Sequence, residues 1–231
     1  MQKQKIVVLT GAGISAESGI ATFRGSGGLW EGHDIMEVAS PKGWAKNPEL
    51  VLNFYNLRRA DAFKAEPNAA HKALAKLEEK YEVQIVTQNV DNLHERGGST
   101  KVLHLHGEIT KVRSTRYPEL VYDIGDKEIL MGDFCDKGAQ LRPDIVWFGE
   151  AVPMIEQALM HAHDADMFMV IGTSMAVYPA ASLIHYVAAN APKYLIDPFI
   201  PEGVDNIPNL TVIEEKATVG VTRLVEELLA S

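Results

Sequence analysis

An apolar run, Ile6 to Leu9, passes through Thr10 directly into Gly11-Ala-Gly13-Ile-Ser-Ala16. This junction constrains the fold more than any other stretch. A short apolar run that enters a turn fits a strand buried on both faces, as in parallel sheets covered by helices. The G-x-G-x-x-A pattern fits a turn whose bare backbone lets N–H groups approach a pyrophosphate. Alone, such a triplet also occurs in ordinary turns. The wider chain repeats the arrangement at Val83 to Thr87, Met167 to Ile171 and Tyr194 to Ile196. These runs end in Gln88-Asn-Val-Asp91, Gly172-Thr-Ser174 and Asp197-Pro198. Ligands of open α/β sheets bind beyond the carboxyl ends of the strands, so four such ends point to one shared crevice.

Between the strands, Pro67 to Lys80 places Ala70, Ala73, Leu74 and Leu77 at helical spacing. Further helices are predicted over Pro48 to Lys64, after Tyr178-Pro179, and from Val219 to Leu229. Two stretches break the alternation. Residues 31 to 66 read as mainly helical, and residues 111 to 142 as irregular, punctuated by Gly125, Gly132 and Gly138. The expected fold is therefore α/β: a Rossmann-like open parallel sheet with helices on both faces, plus a smaller inserted lobe. Residues 1–30, 84–110 and 143–231 are assigned to the dinucleotide-binding domain. Residues 31–83 and 111–142 are assigned to a small helical or irregular lobe.

A plain dehydrogenase is disfavoured. Its second strand would end in Asp or Glu about 20 residues after the glycines, whereas here Thr22 to Glu31 is a glycine-rich loop. That loop offers Arg24 to phosphate oxygens, and Phe23 and Trp30 to cover a ring.

Lys and Arg total 22 against 31 Asp and Glu, a net charge of −9. That balance argues against nucleic acid as the main partner, because neutralising phosphates needs a surplus of cations. The single cysteine, Cys135, excludes an intrachain disulfide and a four-cysteine zinc site. No stretch approaches the ~18 apolar residues of a membrane span, and the first ten residues lack a signal peptide's apolar core. A cytoplasmic location without membrane contact is expected.

Six segments, in order along the chain, resemble the sirtuins, NAD-dependent protein deacylases. They are Gly11 to Ile20, Thr22-Phe-Arg-Gly25, Thr87-Gln-Asn-Val-Asp91, His104-Leu-His-Gly107, Val146-Trp-Phe-Gly-Glu150 and Gly172-Thr-Ser174. Asn53 to Arg59 adds a resemblance to the bacterial CobB-like members. The resemblance implies that Gly11, Ala12, Gly13, Glu17, Phe23, Arg24 and Trp30 line the NAD site. It places Gln88, Asn89 and Asp91 at the ribose and nicotinamide, with Asn89 taking part in catalysis. Gly172, Thr173 and Ser174 would lie on the phosphate and adenosine side, Asp197 at the adenosine ribose and Ala217 beside the adenine. Val146, Trp147, Phe148, Gly149 and Glu150 would form the edge strand that a substrate peptide joins.

His106 is the implied base. Histidine can accept a proton near neutral pH, and His106 would activate the ribose hydroxyls so that the 2′-oxygen receives the acyl group. NAD is consumed, giving nicotinamide, free lysine and O-acyl-ADP-ribose. His104, His94 and His71 are read as structural. Tyr55 and Arg58 are three apart on a predicted helix and share a face. In the family, this pair accompanies removal of succinyl and malonyl groups, with acetyl groups tolerated. The implied partners are proteins or peptides carrying acylated lysine.

The chain departs from the family between His106 and Trp147, where most relatives carry a zinc ribbon on two cysteine pairs. Ser114 stands about where the first ligand belongs, and only Cys135, flanked by Asp133 and Asp136, remains. Zinc is not expected. Packing by Tyr117, Leu120, Tyr122, Ile124, Ile129 and Phe134 is expected to take its place. Two other readings share the sequence features: an NAD glycohydrolase or ADP-ribosyltransferase, and a non-catalytic NAD or ADP-ribose sensor.

Overall fold

The first apolar run forms a strand in which Ile6 to Thr10 are all fully buried. The structure is a computed structural model and describes residues 3–22, the backbone of 29–30, and 32–231. Phe23 and Arg24, and the Trp30 side chain, lie outside the described residues.

The chain runs β1 (Lys5–Thr10), β2 (Leu29–Trp30), β3 (His33–Asp34), α1 (Ile35–Val38), α2 (Pro41–Lys46), α3 (Pro48–Lys64) and α4 (Ala69–Leu77). It continues with β4 (Glu82–Thr87), α5 (Leu93–Arg96), β5 (Val102–His104), β6 (Gly107–Ser114), β7 (Val121–Asp123) and β8 (Leu141–Ile145). The last part is α6 (Ile155–His163), β9 (Met167–Ile171), a 3₁₀ helix over Ala180–Tyr186, β10 (Lys193–Ile196), β11 (Leu210–Ile213) and α7 (Ala217–Ala230).

Six strands form the main sheet in the order β11-β10-β9-β1-β4-β5. All five pairings are parallel. From β1 the chain first builds outward to β4 and β5, then returns to β9 on the other side. The crevice therefore opens between the ends of β1 and β9, where the direction of winding reverses.

Each face of this sheet is covered. Ala70, Leu74 and Leu77 of α4 join Val221 and Leu224 of α7 over Ile6, Val8 and Ile85. On the opposite face, Ala158 and Ala162 of α6 and Leu183 and Ile184 of the 3₁₀ helix cover Val7, Leu9 and Phe168. Burial on both faces explains why the central strands are continuous apolar runs.

Several expectations need correction. β5 and β11 extend the sheet beyond the four runs. They lie at its edges and are only partly buried, so neither carries an uninterrupted apolar stretch. The glycine motif forms 3₁₀ turns over Ala12–Ile14 and Ala16–Ser18, the second ended by Gly19 at φ +89°. α4 was assigned to the small lobe, yet its apolar face completes the main core.

The small lobe is not merely helical or irregular. It contains an antiparallel sheet, β7-β6-β8, so its seams cross the expected boundaries at 110 and 143. Val112 of β6 packs with Leu52 of α3 and Ile129. Charged Glu108, Lys111 and Arg113 interleave along β6 and hide the strand from a search for apolar runs.

Among the described residues, no group of three or more His, Cys, Asp or Glu is placed to hold a metal ion. In the stretch after β6, the Cys135 thiol lies 3.3 Å from Ser114 Oγ, which also accepts the N–H of Tyr117 at 3.1 Å. Ile129 is buried as expected, but Phe134 is 60% exposed and takes no part in a core. Among the described residues, no helix is long and apolar enough to cross a membrane.

Two fully buried histidines lie beneath the crevice. His71 accepts the Asn68 N–H in the box that caps α4, and its ring centroid is 4.9 Å from that of His94. His94 Nε2 is 3.0 Å from Thr10 Oγ1, which donates to Thr87 Oγ1 at 2.9 Å. Burial lowers His71 to about 4 and holds His94 well below its ordinary value.

The unfolded chain binds protons at both histidines as pH falls below about 6.5, whereas the folded chain does not. Stability is thus fully present above that pH and is lost on acidification. For His71 alone the loss reaches about 3 kcal/mol by pH 4. Urea unfolding from pH 7 to 4 is expected to show it, and His71→Gln should flatten the curve.

Candidate active site

The crevice begins with two glycine loops packed backbone to backbone. Gly11 N–H donates to Ile171 O at 3.0 Å, and Gly13 N–H to Gly172 O at 2.7 Å. A Cβ on Gly13 would lie 2.6 Å from Gly172 Cα, and one on Gly172 would collide with the Ile14 amide. Gly172 also holds φ +63°. No side chain fits at this junction, so the wall is bare backbone suited to close approach by phosphate oxygens. Gly13→Ala is expected to raise the NAD Kd at least tenfold by forcing the loops apart, measured by calorimetry.

The remaining expected nucleotide contacts gather at neighbouring strand ends. Gln88, after β4, donates through Nε2 to Thr173 Oγ1 at 3.2 Å, which ties two strand ends together. Ser174 is exposed on the same loop. Asp197 follows β10 and accepts the Phe199 N–H at 2.8 Å. Ala217 opens α7 and is buried. Glu17 bridges to that helix, accepting the Thr218 N–H at 3.1 Å. A carboxylate there offsets the positive end of the helix dipole.

Asn89 and Asp91 meet at Ser15, a residue that carried no expected role. Asn89 Nδ2 donates to Gly11 O at 3.1 Å and to Ser15 Oγ at 3.2 Å. The Ser15 hydroxyl then donates to Asp91 Oδ2 at 3.1 Å, and Leu93 N–H reaches Asp91 Oδ1 at 3.1 Å. Burial raises the Asp91 carboxyl above its ordinary value. Ser15 is fully buried inside the glycine motif. A polar residue at that place was the available signal.

His104 and His106 grip successive carbonyls of the same loop. His104 Nδ1 lies 3.1 Å from Asn89 O, and His106 Nδ1 lies 3.1 Å from Gln88 O. A carbonyl only accepts, so each Nδ1 carries a proton. Their second nitrogens differ. His104 Nε2 is 2.7 Å from Glu95 Oε1; burial would lower its pKa, but the carboxylate outweighs burial and raises it. His104 is a clamp bonded at both ring nitrogens, with its charged form favoured by Glu95. His106 is held below its ordinary value by burial, against the Gln88 hydrogen bond. It is neutral at pH 7, with the Nε2 lone pair able to accept a proton.

The segment 146–150, expected as an edge strand, instead leaves β8 and turns. Its N–H groups are largely used within the protein: Val146 to His106 O at 2.9 Å, Phe148 to Ala39 O at 3.0 Å and Trp147 to Glu150 Oε2 at 2.8 Å. Gly149 holds φ +91° in the turn. Phe148 is exposed, while Trp147 is buried against α3. The Trp147 indole N–H donates to the Tyr55 hydroxyl at 3.1 Å. Arg58 lies one turn along α3, with its guanidinium 5.8 Å from the Phe54 ring. Tyr55 is fully buried, and burial raises its pKa, so it stays a phenol that can donate.

Fold and site together describe a dinucleotide crevice with a neutral imidazole on one wall and a phenol–guanidinium pair nearby. The Sir2 family model matches residues 11–179. An NAD-dependent protein deacylase of Helicobacter pylori is 53% identical over 227 residues, covering 98% of both chains. One of Bacteroides thetaiotaomicron is 50% identical over 231 residues, again covering 98% of both. Among solved structures, a Sir2 homolog in complex with NAD is 40% identical with a TM-score of 0.88, covering 99% of this chain and 90% of that one. Sir2 bound to an acetylated peptide is 30% identical with a TM-score of 0.82, covering 99% and 95%. The chain belongs to the Sir2 family.

Proposed function

We propose that this Sir2-family enzyme removes acyl groups from protein lysines with consumption of NAD, and that it prefers acyl groups ending in a carboxylate. NAD fits the site because the Gly11, Gly13 and Gly172 junction admits no Cβ and offers bare backbone to phosphate oxygens. Ser15, Gln88, Asn89 and Asp91 would hold the ribose and nicotinamide; Thr173, Ser174, Asp197 and Ala217 would hold the adenosine side. Bound NAD supplies an electrophilic sugar carbon and a leaving group, so no hydride is transferred.

The observation that carries the reading is the tautomer of His106. Its Nδ1–H is committed to Gln88 O at 3.1 Å, and burial keeps the ring unprotonated. Nε2 is therefore a base fixed in direction, suited to draw a proton from a sugar hydroxyl. The relatives named NAD-dependent protein deacylase and the Sir2 structure with an acetylated peptide support the same reaction class.

The preference rests on α3. Trp147 occupies an acceptor position on the Tyr55 hydroxyl, which leaves the proton of this buried phenol to be donated to an acyl carboxylate that reaches it. Arg58 adds a planar fork one turn away. A succinyl or malonyl carboxylate would take both, whereas an acetyl group would reach neither.

Incubating the enzyme with NAD and a succinylated peptide, and following peptide mass and nicotinamide, separates the possibilities. Free lysine with O-succinyl-ADP-ribose is expected. Nicotinamide without peptide change would assign a glycohydrolase or ADP-ribosyltransferase, and neither product would assign a non-catalytic sensor.

A further inference from the structure

Arg142 had no role in the sequence reading, yet it is among the most constrained polar residues of the small lobe. It sits on β8 and is 8% exposed. Its guanidinium grips Glu150 with both ends: Nη1 to Oε1 at 2.7 Å and Nη2 to Oε2 at 3.1 Å. Nη2 also donates to Ile145 O at 2.8 Å. The same plane lies over the Trp147 ring, with Cζ 3.3 Å from the centroid.

Glu150 is the second anchor. Besides Arg142 it receives Arg113 Nη2 at 3.2 Å and the Trp147 backbone N–H at 2.8 Å. Arg113 also lies 3.5 Å from Asp144 Oδ1. Trp147 is thus held by its backbone through Glu150 and by its ring through Arg142. Its indole N–H then reaches one atom, the Tyr55 hydroxyl. Trp44, 5.7 Å away centroid to centroid, packs on the indole as well.

We propose that Arg142 is a specificity-determining positioning residue: with Glu150 it fixes the Trp147 indole so that Tyr55 presents its hydroxyl proton to a carboxylate-bearing acyl group. This rests on the acidic-acyl reading above and adds a residue from β8, outside the helix that carries Tyr55 and Arg58. The physical chain is short. A cation over an indole face is attracted by the ring and limits its tilt. A tilted indole loses its bond to Tyr55, and the buried phenol then turns its proton to satisfy another acceptor. The acetyl reaction does not draw on that proton, so only acidic substrates feel the change.

The experiment compares succinyl-lysine and acetyl-lysine forms of one peptide at saturating NAD. The enzymes are wild type, Arg142→Met, Arg58→Met and Trp147→Phe. Arg142→Met is expected to lower the succinyl-to-acetyl ratio of kcat/KM about tenfold, through the KM for the succinyl peptide, with kcat on acetyl-lysine nearly unchanged. Trp147→Phe keeps an aromatic ring but removes the N–H, and should lower the ratio by a similar factor. It serves as the deciding variant if thermal unfolding shows Arg142→Met to be misfolded. A ratio that falls in Arg58→Met but stays at the wild-type value in the folded partner variants would overturn the role of Arg142 alone. A wild type without succinyl preference would overturn the acidic-acyl reading, and this inference with it. Equal losses on both peptides would reduce Arg142 to a purely structural residue, which also overturns the proposal.

Discussion

Replacing His106 with alanine is expected to lower kcat by about 10³-fold while the affinity for NAD changes severalfold at most. The asymmetry follows from the site. The wall proposed for the phosphates is made of the Gly11–Gly13 and Gly172–Thr173 backbone, none of which depends on the imidazole. The imidazole instead supplies a fixed lone pair at Nε2, because Nδ1–H is spent on Gln88 O.

Some loosening of Gln88 is expected in the variant, but His104 still holds the adjoining carbonyl of Asn89. Calorimetry with NAD and steady-state kinetics with an acylated peptide check both halves. Undiminished turnover would refute His106 as base. The pH profile is a second check. Burial places His106 below its ordinary value, so the base is already neutral at pH 7. Activity should therefore fall on acidification only below about pH 6.5, and exchange of this residue should remove that limb.

The second large effect is expected at Arg58. Arg58→Met should lower the succinyl-to-acetyl ratio of kcat/KM about a hundredfold. A hydrogen bond to a charged group contributes about 1.5–3 kcal/mol, and each 1.4 kcal/mol is a factor of ten. Methionine keeps most of the apolar stem of arginine, is shorter, and offers nothing to a carboxylate. Tyr55→Phe removes the other donor and should give a smaller loss of the same kind, since Trp147 loses its acceptor as well. Equal losses on succinyl and acetyl peptides would sink the acidic-acyl reading.

Much of this architecture was legible in the order of residues. The four central strands and α7 are visible because burial on two faces or one stripe leaves a clear pattern; α3 was read over the same bounds, Pro48–Lys64, although its buried face mixes Asn56 and Arg59 with apolar residues. Edge strands β5 and β11 were not, because half-exposed strands mix polar and apolar residues. β6 was hidden for the same reason by its charged positions. The small lobe's sheet is built from contacts between distant segments, β6 with β8, and no local periodicity announces such pairing. α4 looked like part of an insertion because it stands before β4, yet it is the crossover helix that covers the sheet between β1 and β4.

The candidate site divides in the same way. Gly11, Gly13, Gln88, Asn89, Asp91 and Gly172 could be named from the sequence, since each belongs to a compact motif at the end of an apolar run, and His106 because His104-Leu-His-Gly107 resembles the family's motif. Their backbone demands and chemistry are local properties. The tertiary structure decided what no motif contains: that Ser15 joins Asn89 to Asp91, that Glu95 raises the pKa of His104 while burial lowers that of His106 two residues on, and that Arg142 lies over Trp147. Protonation state and orientation depend on which groups share a low-dielectric interior, and folding sets that company.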